Sequence, residues 1–130
     1  MADSPANEFH PLYLQGIEEF NRRRYFDSHE AWEGLWINAT GSQRSFYKGL
    51  IQAAVALHHL ERGNAHGAVK LLQGSRRYLE AFRPRHLGLD VDGFLNSLER
   101  FVDQRLAGRG AIAEGPPAIR VANPPHPHAI

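Results

Sequence analysis

The stretch SFYKGLIQAAVALHHLERG, which runs up to Gly63, constrains this chain more than any other. Phe46, Leu50, Ala53, Leu57 and Leu60 recur at three- and four-residue steps, and Tyr47, Ile51, Ala54 and His58 repeat the pattern one position on. Two adjacent apolar stripes make a wide face, so this segment is a helix with neighbours on more than one side. Its small residues Gly49, Ala53, Ala54 and Ala56 let those neighbours come close. The apolar run LIQAAVAL is short and carries Gln52, which excludes a membrane-crossing helix there.

The same period runs along most of the chain. A first helix starts at Pro11, a residue suited to the first helical position, and places Leu14, Ile17 and Phe20 at helical spacing. A second carries Ala31, Trp32, Leu35 and Trp36, with Asp27 and Glu30 spaced as a capping box. The central helix runs from about Ser42 to Gly63, whose glycine suits a left-handed C-terminus. Asn64 caps a fourth helix that carries Ala68, Leu71, Leu72, Tyr78, Leu79 and Phe82, and Pro84 ends it. Asp90 or Asp92 caps a fifth, in which Phe94, Leu95, Leu98, Phe101, Val102 and Leu106 recur. FNRRRYFDSHEAW and LERGNAHGAVKLL each read as helix end, turn and helix start about forty residues apart, a faint echo of packed helical hairpins. The expected fold is therefore all-α: a single compact bundle of about five helices built from antiparallel hairpins. Residues 1–9 form a flexible leader, 10–107 the helical domain, and 108–130 an extended tail rich in proline.

Composition narrows function. Fifteen basic residues face fourteen acidic ones, a net charge of +1, so neither nucleic acid nor an anionic membrane is expected as a partner. There is no cysteine, which removes disulfides, thiolate zinc sites and a cysteine nucleophile. The N-terminus MADSPANEFH lacks a secretory pattern, so the expected location is cytoplasmic. No nucleophile elbow, phosphate loop or dinucleotide fingerprint occurs, and the serines at 28, 42, 45, 75 and 97 have capping or surface explanations.

Chemistry concentrates in FDSHEAWEGLW, residues 26–36. His29 and Glu33 are four apart and share a helix face. Zinc proteases use H-E-x-x-H; here Glu33 stands where the second histidine would be. A His/Glu pair still suits a divalent metal, although two ligands do not make a site. In an antiparallel hairpin Trp36 meets the start of the third helix, Glu33 lies near Lys48, and His29 near Gln52. His29, Glu33, Gln52 and His59 are thus the candidate polar site, with His29 and Glu33 the metal ligands if a metal binds. Gln52 and His59, seven residues apart, are separated by roughly 10 Å along the axis and do not share one small ion. Interhelix hydrogen bonding explains the same residues without any chemistry. His126 and His128 of the tail form a weak metal motif.

His29, Glu33 and Trp36, then Phe46, Gly49 and Gln52, then His59, and GNAHGA from Gly63 to Ala68 resemble the signature of the family known as domain of unknown function 309. The resemblance covers about residues 15–98. It implies a small all-helical domain, found mainly in prokaryotes and some plastid-bearing eukaryotes, and it implies no known reaction. It marks Trp36, Phe46, Gly49, Gly63, Asn64 and Gly67 as supporting positions. Two functional expectations follow. One is a binding or interaction module with the His/Glu/Gln cluster between two helices. The other is a small metal-dependent hydrolase or related enzyme using His29 and Glu33. A homo-oligomer is compatible with either.

Overall fold

The computed structural model describes residues 9–108 and 115–122. Five helices follow one another: α1 (Pro11–Asn21), α2 (Tyr25–Trp36), α3 (Gly41–Glu61), α4 (Ala65–Leu79) and α5 (Val91–Leu106). A 3-10 turn, Glu80–Phe82, extends α4, and the strands β1 (Arg85–His86) and β2 (Leu89–Asp90) pair as a short antiparallel hairpin before α5. The all-α expectation holds, and the two-residue strands are what its pattern did not show. Successive helices pack on one another, α1 on α2, α2 on α3 and α3 on α4, and α5 closes against α4. The centre is α3, whose Phe46, Leu50, Ala53, Ala54, Ala56 and Leu57 are at most barely exposed.

The two hairpin turns are built alike. After α1, the Arg22 N–H donates to the carbonyls of Glu18 and Glu19, Arg23 to Phe20, and Arg24 to Glu19 at 2.9 Å. After α3, Arg62 donates to His58 and His59, Gly63 to Leu60, and Asn64 to His59 at 2.8 Å. The middle residue is left-handed in both, Arg23 at φ 64° and Gly63 at φ 79°. The echo in the sequence is therefore one backbone turn used twice. This turn also displaces the capping box. Because the chain re-enters helix straight after Arg23, Arg24 is the N-cap of α2 and makes no side-chain cap bond. Asp27 falls in the first helical turn, where its carboxylate faces the positive end of the dipole instead of capping. By contrast Asn64 accepts from the Gly67 N–H at 2.9 Å and Asp90 from the Gly93 N–H at 3.0 Å, as capping residues do.

The helices meet closely at two glycines. A Cβ on Gly16 would overlap the Trp32 indole, and one on Gly49 would overlap the Leu79 side chain. Beside each glycine a buried serine closes the gap: Ser28 donates its hydroxyl to the Gly16 carbonyl and Ser75 to the Gly49 carbonyl, both at 2.8 Å. The Trp32 Nε1–H adds a bond to the Tyr13 carbonyl at 3.1 Å. Ser28 and Ser75 are the buried polar residues of the described chain, which corrects the capping or surface roles expected for them. The α1 stripe is Tyr13, Gly16, Ile17 and Phe20, and Leu14 lies 44% exposed, one step off the face expected of it. Tyr78, also expected in the core, is half out of it.

Part of the proline-rich tail belongs to the packed body. Ile119 is 2% exposed, and its backbone forms two bonds with the Asn21 side chain, N–H to Oδ1 at 2.7 Å and carbonyl from Nδ2 at 2.8 Å. The Ala122 N–H donates to the Gly88 carbonyl at 2.9 Å. Phe9, at the edge of the expected leader, packs edge-on against Tyr13. The histidines at 126 and 128 and residues 1–8 lie outside the described residues.

The two turns make opposite predictions from one cause. Relieving the left-handed arginine with Arg23→Gly should stabilise the protein by about 0.5–1 kcal/mol, and Gly63→Ala should cost about 1 kcal/mol. Urea midpoints read both; shifts of the same sign would show that the left-handed position is not the cause.

Candidate functional site

The expected polar cluster is taken apart by the helix register. Phe26 of α2 stacks on His58 of α3 with ring centroids 5.7 Å apart. One turn on, the His29 ring lies 5.2 Å from the Phe26 ring, and Gln52 is not among its partners. His29 instead serves its own helix: Nδ1 lies 3.2 Å from the Phe26 carbonyl, and Nε2 lies 3.5 Å from Glu33 Oε2. That second contact is an ion pair only when the ring is protonated, and Glu33 is 54% exposed, so it adds little.

Gln52 faces the other way, against α4. Its amide fills the space that a side chain on Gly74 would take, and Oε1 is buried without a hydrogen-bond partner. His59 sits at the distant end of α3, where its Nδ1 faces the Asn64 amide at 3.3 Å and its ring lies over Gly67. Gly67 thus makes room for the Asn64 cap and the His59 ring, rather than for the packing of a neighbouring helix. Among the described residues no group of three or more His, Cys, Asp and Glu side chains is placed to hold a metal ion. His29 and Glu33 come together as a pair; Gln52 and His59 join neither them nor each other.

What the register does bring together lies at the other end of α2. Trp36 meets the start of α3, as expected, and there the Arg44 guanidinium lies 4.0 Å and the Lys48 ammonium 4.9 Å from its ring centroid. Cations on an indole face are held by the ring quadrupole. Neither Arg44 nor Lys48 pairs with a carboxylate among the described residues, whereas Arg22, Arg24, Arg76 and Arg83 all do. Trp36, Gly41, Arg44, Ser45, Lys48 and Tyr78 line an open cleft of about 190 Å³ with no acidic residue in its wall.

On the opposite side of the α2–α3 connection is a second, larger concavity of about 350 Å³, lined by His10, Leu35, Asn38, Ala39, Thr40, Gln43 and Tyr47. Behind it the His86 ring is wedged against Phe46 and Phe82, at 4.6 and 4.7 Å, and its Nε2 lies 2.7 Å from Gln43 Oε1. Burial lowers the His86 pKa and raises that of the Tyr47 phenol. Sequence reasoning missed this end of the bundle. Its signal was present in the cation-rich spacing of Arg44 and Lys48, one helical turn apart, following Trp36.

The fold defines the chain as a small protein of stacked helical hairpins. Residues 13–71 match the model of the family described as domain of unknown function (DUF309), so the resemblance seen in the sequence is shown. The match ends within α4, short of the 98 expected. The chain is 35% identical over 96 residues to the uncharacterised protein YpuF of Bacillus subtilis, an alignment that takes in 71% of this chain and 55% of YpuF. The chain thus spans about half the length of that relative. A conserved hypothetical protein of Thermus thermophilus, known from its crystal structure, superposes with a TM-score of 0.64 at 27% identity, over 73% of this chain and 99% of its own. Both are named without an activity. No helix among the described residues is long and apolar enough to cross a membrane.

Two measurements probe this placement. Gln52→Leu removes a buried oxygen that has no partner, so its effect on stability should be neutral or slightly favourable. Combined with His29→Ala, on a different face, it should act additively to within about 0.5 kcal/mol; coupling above about 1 kcal/mol would bring the two residues back into one cluster. His86 sets a pH dependence. Since burial lowers its pKa, the unfolded chain takes up the proton first as pH falls, and stability should drop progressively below about pH 6.5. His86→Phe, which keeps the aromatic contacts, should flatten the fall in melting temperature between pH 7 and pH 5. An unchanged slope would assign the effect to other groups.

Proposed function

We propose that this domain is a binding module whose working surface is the Trp36 cleft, and that its partner is an acidic segment of another protein. One observation carries the reading: two cations stand against one half-buried tryptophan, with no carboxylate partner among the described residues, at the rim of a concavity. Arg22, Arg24, Arg76 and Arg83, by contrast, each pair with a carboxylate. Volume separates a small-molecule pocket from a contact surface. Enclosed ligand sites run from about 300 Å³ upward. At about 190 Å³ the cleft suits one or two inserted side chains. Trp, Tyr and Arg are also the residue types that dominate interface energetics. The acidic partner follows from charge complementarity, which would speed encounter and fix register.

The enzyme reading rests on His29 and Glu33, which do lie side by side on α2 and could offer a divalent metal two ligands. Further ligands would have to come from outside the described residues, and the pair lies away from both concavities. The interaction reading is therefore preferred.

Fluorescence tests it, because Trp32 is fully buried while Trp36 reports on the cleft. A tryptophan-free peptide rich in Glu and Asp should change the emission of the protein at low salt and lose affinity as salt screens the charges. Arg44→Glu with Lys48→Glu should weaken binding at least about tenfold. Equal binding of a neutral peptide of the same length, or unchanged affinity in the charge-reversed variant, would overturn the reading.

A further inference from the structure

We propose that the larger concavity on the other side of the α2–α3 connection is a binding site for a small carboxylic acid, whose carboxylate meets Tyr47, Gln43 and His10 and whose short aliphatic part lies on Leu35 and Ala39. This site is separate from the Trp36 cleft and does not rest on the peptide reading.

Its hydrogen-bonding character is fixed by bonds already made. The His10 Nδ1 accepts from the Leu12 N–H at 3.0 Å, so the neutral ring carries its proton on Nε2 and can only donate from there. Gln43 Oε1 is taken up by His86 Nε2 at 2.7 Å, which leaves the amide N–H groups of Gln43 to be used. Tyr47 is 6% exposed as a residue and lines the concavity; its hydroxyl makes no hydrogen bond among the described residues and is open to solvent, since it is not one of the buried unpartnered polar atoms. Burial also raises its pKa, which keeps the proton on the oxygen and the group a donor at neutral pH.

Three side chains with a donor thus stand in one lining, where no carboxylate occurs among the described residues. The backbone adds to them. Thr40 is the N-cap of α3 and makes no side-chain cap bond, so the first turn of the helix keeps unsatisfied N–H groups and the positive end of its dipole beside the concavity. These donors favour an acceptor-rich group, beside which Asn38 and Thr40 offer both donor and acceptor, and the dipole favours a negative one. The absence of Lys and Arg from the lining argues for a single diffuse charge rather than a phosphate dianion. Leu35 and Ala39 supply an apolar wall for the rest of the molecule, and about 350 Å³ is enough for a short-chain acid.

The test is titration of the full chain with sodium butyrate, and in parallel with butyramide, followed by amide nitrogen–proton NMR. Butyrate should give saturable shifts centred on Ser42, Gln43 and Tyr47, and butyramide should bind at least about tenfold more weakly, because charge-assisted hydrogen bonds are the stronger ones. Tyr47→Phe, which preserves ring packing, should weaken butyrate roughly tenfold by removing one donor. Gln43→Glu should abolish binding by putting a second negative charge in the site. Arg44→Glu with Lys48→Glu should leave butyrate binding at this concavity in place, so failure here and failure of the peptide reading are told apart. Equal binding of butyramide and butyrate, shifts centred on Trp36 and Lys48, no saturable shift up to tens of millimolar, or undiminished affinity in a folded Tyr47→Phe protein would each overturn the proposal.

Discussion

The close contact of helix backbones at Gly16 and Gly49 is what the remainder of the structure depends on. At each crossing a glycine removes the Cβ, a serine on the next helix donates to the exposed carbonyl, and the residue four positions beyond that serine covers the gap. In α2 the pair is Ser28 and Trp32; in α4 it is Ser75 and Leu79. A buried hydroxyl is tolerable only because it is hydrogen-bonded, and the bond in turn fixes how far each helix slides along its neighbour. Slippage by one turn would strand the hydroxyl and drive the indole into a backbone. The register of α2 on α3 belongs to a separate contact, in which Phe26 meets His58 at one end and Trp36 meets Arg44 at the other.

Two copies of this device produce a hairpin pair with strongly different sequences. The turns after α1 and α3 share their hydrogen bonds and their left-handed middle residue, although one is Arg22-Arg23-Arg24 and the other Arg62-Gly63-Asn64. Backbone groups do most of the work, so side chains are free to differ. The second turn uses residues whose intrinsic preference agrees with the conformation, glycine for the positive φ and asparagine for the cap. The first holds an arginine in the left-handed region, supported by its contact with the buried Tyr25 phenol, whose pKa burial pushes up to about 12.

That contrast explains what could be seen in the sequence. Helix count, the central place of α3, the Asn64 and Asp90 caps and the left-handed Gly63 rest on local rules and hold. The capping box at Asp27 and Glu30 fails because Arg23 adopts a conformation that its side chain does not advertise. Ser28 and Ser75 look like surface or capping residues in the sequence, since nothing local distinguishes a serine that faces a glycine on another helix. The α2-facing position expected for Gln52 differs from its place against α4 for a related reason. A helix buried on two sides has no unique apolar face, and only the space left by Gly74 shows which neighbour the amide enters. The docking of Ile119 on Asn21 pairs residues 98 apart in sequence, beyond the reach of any periodicity.

The same topology decides where binding groups collect. In an up-and-down arrangement the α1–α2 and α3–α4 turns lie at one end, and both close with a run of backbone bonds that uses up the helix-end groups. The α2–α3 connection lies at the other end and is built differently: Thr40 leaves the first turn of α3 uncapped by a side chain, and Gly41 carries the positive φ. Unsatisfied donors and unpaired cations therefore remain at that end, on the two sides of one connection. The candidate pair His29 and Glu33 lies midway along α2, between the two ends, and its contacts are with the helix that carries it. A domain stapled shut at one end and left electrostatically unfinished at the other concentrates its chemistry where the connection is loosest, and α3 joins the two ends through its fully packed middle.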